Sequence, residues 1–572
     1  MKTVSPNLSV IESLEARLAP AGVVALTLSA SGALTITGDV HANDFTITES
    51  GDLWTITSQT GTTDFKFNNG AEMSAITFDA PLSVKATLGD GDDVMVLDGV
   101  LIPKTLNVNT GNGNDIVDLT STAIFSTATV AMGNGDDTFT GGGDLYFAKG
   151  FSVTLGAGAN TFDVNADTLL SEGNISATAG GTILEDQAFI LKAGVGEIFG
   201  SLTLRTTIGS STEFEIGELL SDSLLVTKAM TLQSAAGSDD VTLRGDLMVG
   251  GVLSLKMGNG NNLIYTDELD QLSTKGLAYT GGTGLDDFRL EAREVIVDGS
   301  FTFSGSSGEN YLDLLTTEYL GITKGLTYTG GVGQDSLVIG GPEVVVIGQV
   351  KMTGSNGFNY LGIDATWADL GSLAYSGGTG ADLVEIGHLE GDSELVTVYG
   401  GMSLAMSSGD SEVHLLDTYI RGNLSITTKA ALGYLDNIWL LDSDFDGSVS
   451  VNMSGTADSY VEVRDGIFNG NVTLRTGAGY DEVRFDTDID SSSIYSEWNG
   501  YVRVYLGSGD DEFYAGGTPT QSTVGHVGND FNYYVDVYGD AGYDTAYFMS
   551  TADYNNGFNY DDPWIFSIED YA

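Results

Sequence analysis

The run Gly89-Asp90-Gly91-Asp92-Asp93 returns as Gly111-Asn112-Gly113-Asn114-Asp115 and again as Gly133-Asn134-Gly135-Asp136-Asp137, one copy every 22 residues. A chain that repeats itself at such an interval stacks its repeats on one another and shares one continuous core among them. Glycine at the first and third positions permits the positive φ of a sharp corner. The same corner sets a carboxylate or amide at one edge of every coil, so the spacing predicts a ladder of oxygens along that edge.

Counting from the fifth residue of the corner, the second and fourth residues onward are apolar in copy after copy: Met95 and Leu97, Val117 and Leu119, Phe288 and Leu290, Val384 and Ile386, Val483 and Phe485. Period two is the signature of a strand with one face buried. Alternate residues before the corner are apolar too, as in Leu253, Leu255 and Met257, or Val502, Val504 and Leu506. Each corner therefore joins two strands, and about ten variable residues complete the coil with a third short strand or a loop. Successive coils run in one direction, so the pairing is parallel and the winding right-handed. The expected fold is all-β: a right-handed parallel β-helix or β-roll solenoid of about 22–25 residues per coil.

Later corners end in Asp239, Asp286, Asp335, Asp382, Asp481, Asp511 and Asp544, and others in Asn160, Asn262, Asn310 and Asn359. From Asp239 to Asp382 the two types alternate. Leu277-Ala278-Tyr279-Thr280-Gly281-Gly282 recurs as Leu326-Thr327-Tyr328-Thr329-Gly330-Gly331 and Leu373-Ala374-Tyr375-Ser376-Gly377-Gly378, a longer repeat of about 48 residues. Between Asn160 and Asp239, and between Asp382 and Asp481, the signature fades while the alternation continues, which reads as degenerate coils in one stack. Residues 1–21 form an export or capping segment, with Leu8, Ile11, Leu14 and Leu18 at helical spacing; 22–550 form the solenoid; 551–572, rich in aromatics, form the opposite cap.

The formal charge is −57, from 79 acidic and 22 basic residues. Association with nucleic acid or an anionic membrane through the chain's own charge is excluded, and cations are its natural partners. No apolar run reaches the ~18 residues of a membrane helix, and no cysteine offers a disulfide or thiolate. His41, His388, His414 and His526 are scattered, with no zinc spacing among them.

The corners Gly89–Asp93, Gly111–Asp115, Gly133–Asp137, Gly282–Asp286, Gly331–Asp335, Gly378–Asp382, Gly477–Asp481 and Gly507–Asp511 resemble the Gly-Gly-x-Gly-x-Asp nonapeptide of RTX (haemolysin-type) calcium-binding secreted proteins. That resemblance implies Ca²⁺ between neighbouring coils. The spacing here is 22 to 25 residues instead of nine, so it covers five or six residues per coil. Ser13-Leu14-Glu15-Ala16-Arg17-Leu18-Ala19-Pro20-Ala21 looks like the segment that opens many large secreted repeat proteins of planctomycete and verrucomicrobial bacteria. It implies a bacterial extracellular or cell-surface protein.

The candidate metal ligands are Asp93, Asp115 and Asp137, with Asp92, Asn114 and Asp136 one position earlier, and singly Asp286, Asp335, Asp382, Asp481 and Asp511. Ca²⁺ takes six to eight oxygens, and stacked corners would supply them at one edge. The plainer reading is that Asp and Asn favour tight turns and satisfy local amides. Asp442-Ser443-Asp444-Phe445-Asp446-Gly447 matches half an EF-hand loop, but its twelfth position is Met453 and it reads as an acidic turn; Asp486, Asp488 and Asp490 form a weaker triplet. Glu462, Arg464, Arg484, Asp486 and Arg503 would share a face, either as lyase machinery or as cross-coil ion pairs. The expected function is a secreted or cell-surface acidic structural or adhesive solenoid that binds Ca²⁺ at its corners and associates with itself or with other surface proteins and glycans. The alternative is a polysaccharide lyase or hydrolase of parallel β-helix type.

Overall fold

A computed structural model of the chain describes residues 22–180, 185–208, 211–218, 221–387, 395–486 and 496–516, together with 530–531, 533, 535–540, 542–548, 564–566 and 570–571. The expected N-terminal helix, His388, His526, Asp488 and Asp490 lie outside the described residues, as does most of the expected C-terminal cap. Among the described residues every regular element is a β-strand. The chain divides into two compact units, Met1–Val164 and Asn165–Ala572.

The first unit opens with β1 (Gly22–Leu28), β2 (Ala33–Thr37), β3 (Asp44–Ser50), β4 (Leu53–Thr57), β5 (Thr63–Phe67), β6 (Glu72–Met73) and β7 (Ala75–Asp79), followed by β8 (Ser83–Asp90) and β9 (Val94–Asp98). The pairs β1–β2, β3–β4, β4–β7 and β5–β6 are antiparallel. Parallel pairing then takes over: β2 lies beside β8 with Leu34 opposite Val84, and β3 beside β9 with Phe45 opposite Met95. The stretch Gly22–Asp79, which also pairs β1 with β5 in parallel, is thus a cap of mixed pairing laid on the first coil, and it buries Phe45, Trp54 and Phe65 completely. Terminal repeats need such a cover for their open apolar end.

From β8 onward the coils stack in register. Val84, Leu106 and Ala128 form one inward row, and Met95, Val117 and Phe139 another. The variable segment contains a third short strand, seen at Leu101–Ile102 and Ala123–Ile124. Core rings stack from coil to coil, with Phe139 and Phe162 at 5.4 Å between centroids. Each buried side chain of this size contributes about 1.5–3 kcal/mol by leaving water.

The second unit repeats the plan. Its corner row runs through Asn262, Asp286, Asn310, Asp335, Asn359, Asp382, Ser411, Asp436, Ser459 and Asp481, each opposite the next. The stretch after Asp382, where the signature fades, therefore keeps the ladder: serine takes the place of asparagine at Ser411 and Ser459, the acid stays at Asp436 and Asp481, and the inward parity persists.

Candidate functional site

The corner is built by glycine. In the first unit Gly91, Gly113 and Gly135 have φ of 117°, 139° and 137°. A Cβ on Gly113 would sit 2.0 Å from the carbonyl oxygen of Gly91, and one on Gly135 1.9 Å from that of Gly113. Backbone sign and backbone proximity both exclude a side chain there.

At these corners the third residue keeps a backbone bond to the next coil, as Gly113 N–H does to the Asn134 carbonyl at 2.9 Å, while the amides of the last two residues turn to side chains. The amide of Asp93 donates to Asp115 Oδ1 at 2.8 Å, Asp115 to Asp137 Oδ1 at 3.0 Å, and Asp137 to Asn160 Oδ1 at 3.1 Å. The row begins in the Gly22–Asp79 cap, where the amide of Asn43 donates to Asp93 Oδ1 at 2.7 Å. Each of these carboxylates is at most 1% exposed. One residue earlier the direction reverses: the amide of Asn114 donates back to Asp92 Oδ1, and that of Asp136 back to Asn114 Oδ1, both at 2.8 Å. Asp92, Asn114 and Asp136 are exposed. The two sets of expected ligands therefore lie on opposite sides of the backbone, one in the core and one in solvent.

In the second unit the alternation of Asp and Asn has a chemical basis. Asn262, Asn310 and Asn359 donate through Nδ2 to Asp286, Asp335 and Asp382 Oδ1 at 2.7, 2.8 and 2.8 Å. The residue seven before each of these Asp is tyrosine. Tyr279 and Tyr375 hydroxyls donate to Asp286 and Asp382 Oδ1 at 2.7 and 2.8 Å, while Tyr328 donates to the Asn310 carbonyl at 2.7 Å. The residues seven before Asn262, Asn310 and Asn359 are Leu255, Phe303 and Met352, which carry no hydroxyl. Tyr279, Phe303 and Tyr328 stack in one column at 4.8 and 4.9 Å. Room for the carboxylate comes from Gly281, Gly330 and Gly377, where a Cβ would lie 2.0–2.2 Å from the nearest atom of the Asp carboxyl group. Sequence reading missed these tyrosines, although the repeated Tyr-(Thr/Ser)-Gly-Gly is the signal that carries them.

At the far corners the amide of Ser459 donates to Asp481 Oδ1 at 2.9 Å and that of Asp481 to Asp511 Oδ1 at 2.9 Å. Burial drives the acids upward from the ordinary carboxylate range. Asp93, Asp137 and Asp511 are pushed up to about 7, and Asp239 and Asp382 to about 6. Asp115, Asp286, Asp335 and Asp481 are raised for the same reason, against the pull of their hydrogen-bond donors. In Asp93, Asp115, Asp137, Asp286, Asp335, Asp382, Asp481 and Asp511 the second oxygen, Oδ2, is buried with no hydrogen-bond partner.

A buried carboxylate with an orphaned oxygen calls for a proton or a cation. Oxygen-only donors in stacked corners suit Ca²⁺ chemically. Among the described residues no three His, Asp or Glu side chains gather closely enough to hold a metal, so such an ion would complete its shell with backbone carbonyls and water.

The half EF-hand is a strand and a turn. Asp444 Oδ1 accepts the Ile467 amide at 3.1 Å, and Asp446 accepts the Tyr419 hydroxyl at 2.6 Å and Asn469 Nδ2 at 3.0 Å. Of the five residues considered for lyase chemistry, Glu462 and Arg484 stand opposite each other on neighbouring coils. Asp486 is buried and accepts from the Asp465 amide and from Ser496 at 2.9 Å each, whereas Arg484 bonds to Glu482, Arg503 lies 3.7 Å from Asp536, and Glu462 accepts from Tyr460. His41 lies 3.4 Å from Asp39 and His414 2.8 Å from Glu412.

These features define an acidic, parallel β-solenoid repeat protein whose corners are tied by ladders of side-chain oxygens. No protein-family model, curated protein or solved structure matches the chain.

Proposed function

We propose that the chain is a structural β-solenoid of the bacterial exterior, stiffened by Ca²⁺ at its Gly-x-Gly-x-Asp corners. The observation that carries this reading is the orphaned Oδ2 of Asp93, Asp115 and Asp137, repeated on successive coils at the end of a side-chain ladder. A formal charge of −57 adds a general attraction for cations along the coils. Ion binding that needs stacked corners couples to folding, so calcium would raise stability. The export-like and RTX-like segments of the sequence support an extracellular setting.

The test is thermal unfolding of the full chain in chelator and across a calcium titration, with magnesium as control. A saturable, calcium-selective rise in Tm that is cut by Asp115→Asn supports the reading. A response to calcium no greater than to magnesium overturns the calcium sites and leaves a scaffold held by its core and its hydrogen-bond ladders.

A further inference from the structure

The outward face of the strands that follow the corners changes character along the second unit. Glu385, His414, Trp439, Glu462, Arg484, Tyr514 and Tyr547 lie opposite one another in a single row. The adjacent row carries Glu412, Asn437, Tyr460, Glu482 and Glu512. At the matching outward positions of the first unit stand Val96, Asp118 and Thr140, so the coil itself does not require rings there.

The rings and bases act on the carboxylates. His414 holds Glu412 at 2.8 Å, Tyr460 holds Glu462 at 2.7 Å, Tyr360 holds Glu385 at 2.9 Å, and Arg484 and Tyr514 hold Glu482 and Glu512. His414 and Trp439 lie 4.5 Å apart, Trp439 and Tyr460 5.9 Å, and Tyr514 and Tyr547 stack at 4.9 Å and 10°. Those last rings turn their faces toward neighbouring coils, which removes the faces a sugar would stack on. What the stripe offers is a set of partly exposed, fixed carboxylates: five glutamates against one arginine and one histidine. The chain's own Arg484 shows how a cation sits here, its guanidinium 5.5 Å from the Tyr460 ring and 5.6 Å from Tyr514.

We infer that this stripe is a docking surface for a basic peptide segment in extended conformation, whose lysine or arginine heads pair with Glu412, Glu462, Glu482 and Glu512. Charge complementarity selects such a partner, and pre-fixed carboxylates reduce the ordering cost of binding it. From His414 to Tyr547 the rungs span about 24 Å at ~4.8 Å each, the reach of roughly seven or eight extended residues. This surface is separate from the calcium corners, and its test does not depend on them.

The experiment measures binding of octalysine to the full chain by calorimetry at fixed ionic strength in chelator. Two triple variants are compared, Glu462→Gln/Glu482→Gln/Glu512→Gln and Asp52→Asn/Asp79→Asn/Asp98→Asn, each of which moves the formal charge from −57 to −54. Gln keeps an oxygen for the Tyr460 and Tyr514 hydroxyls. The stripe variant is expected to bind at least tenfold more weakly and the control variant less than twofold. Equal weakening would assign the binding to diffuse charge and overturn the proposal, as would no binding by the wild type. Binding of a neutral glucan hexasaccharide that the stripe variant loses, in place of the peptide, overturns it in favour of a glycan. If the stripe variant does not fold, hydrogen exchange of the wild type with octalysine gives the answer: protection confined to strands Asp458–Arg464, Asp481–Phe485 and Glu512–Ala515 supports the proposal, and protection spread evenly along the coils overturns it.

Discussion

Tyr279 reaches seven residues along its own chain to donate its hydroxyl to Asp286 Oδ1 at 2.7 Å, with both side chains buried. Tyr375 and Asp382 repeat the bond at 2.8 Å. Tyr279→Phe removes a buried donor from an acid that keeps Asn262 as its remaining side-chain donor, and a loss of about 1–3 kcal/mol is expected in urea unfolding. Adding Asp286→Ala to Tyr279→Phe should cost less than the sum of the single changes, because either change alone already removes the bond. Strict additivity would show that the pair is not coupled.

Gly113→Ala forces a side chain into a left-handed residue and against the Gly91 carbonyl. The strain is of the order of 1–3 kcal/mol before any clash is relieved. Gly99→Ala has positive φ as well but meets open space, so its loss should be the smaller of the two by chemical denaturation. A larger loss at Gly99 would contradict the close-approach account of the corner.

The buried acids make the fold more stable in acid than in mild alkali. Their native values, about 7 for Asp93, Asp137 and Asp511 and about 6 for Asp239 and Asp382, lie above the ~3.9 of an unfolded aspartate. Between those limits the folded chain holds protons that the unfolded chain has released. This stabilisation is complete below about pH 4 and is lost as pH rises through about 7. Urea unfolding in chelator at pH 4.5 and 8 should show the fall, and Asp137→Asn should lessen it. Equal or greater stability at pH 8 would mean that something other than protons neutralises the row.

Neighbouring corner residues should respond unequally. Asp136→Asn is exposed and keeps an oxygen for the Ala159 amide, which it accepts at 2.8 Å, so stability should change by no more than about 0.5 kcal/mol. Asp137→Ala removes the buried acceptor of the Asp115 amide and should cost about 1–3 kcal/mol. Measuring the two side by side asks which ladder holds the coils together.

The coil was legible in the chain because a period of two and a recurring glycine pair are local signals. The mixed pairing of Gly22–Asp79 was not: its alternation is also of period two, and nothing local distinguishes a strand that pairs antiparallel from one that pairs parallel. The inward aim of Asp93 was within reach, since Met95 and Leu97 share its parity and point to the core. Reading the aspartate as a turn residue hid that parity and merged it with Asp92, which has the opposite one. Asn43, fifty residues from Asp93, could be placed only by the fold.

The bond from each inward asparagine to the next aspartate bears on how such a chain can lengthen. Between Asp239 and Asp382, inserting one coil would set two acids or two amides side by side, whereas inserting two keeps every acid next to its amide and under its tyrosine. The step that keeps every Asn–Asp bond in this stretch is therefore a doublet, which matches a duplication length near 48 residues where a single turn needs only half as many.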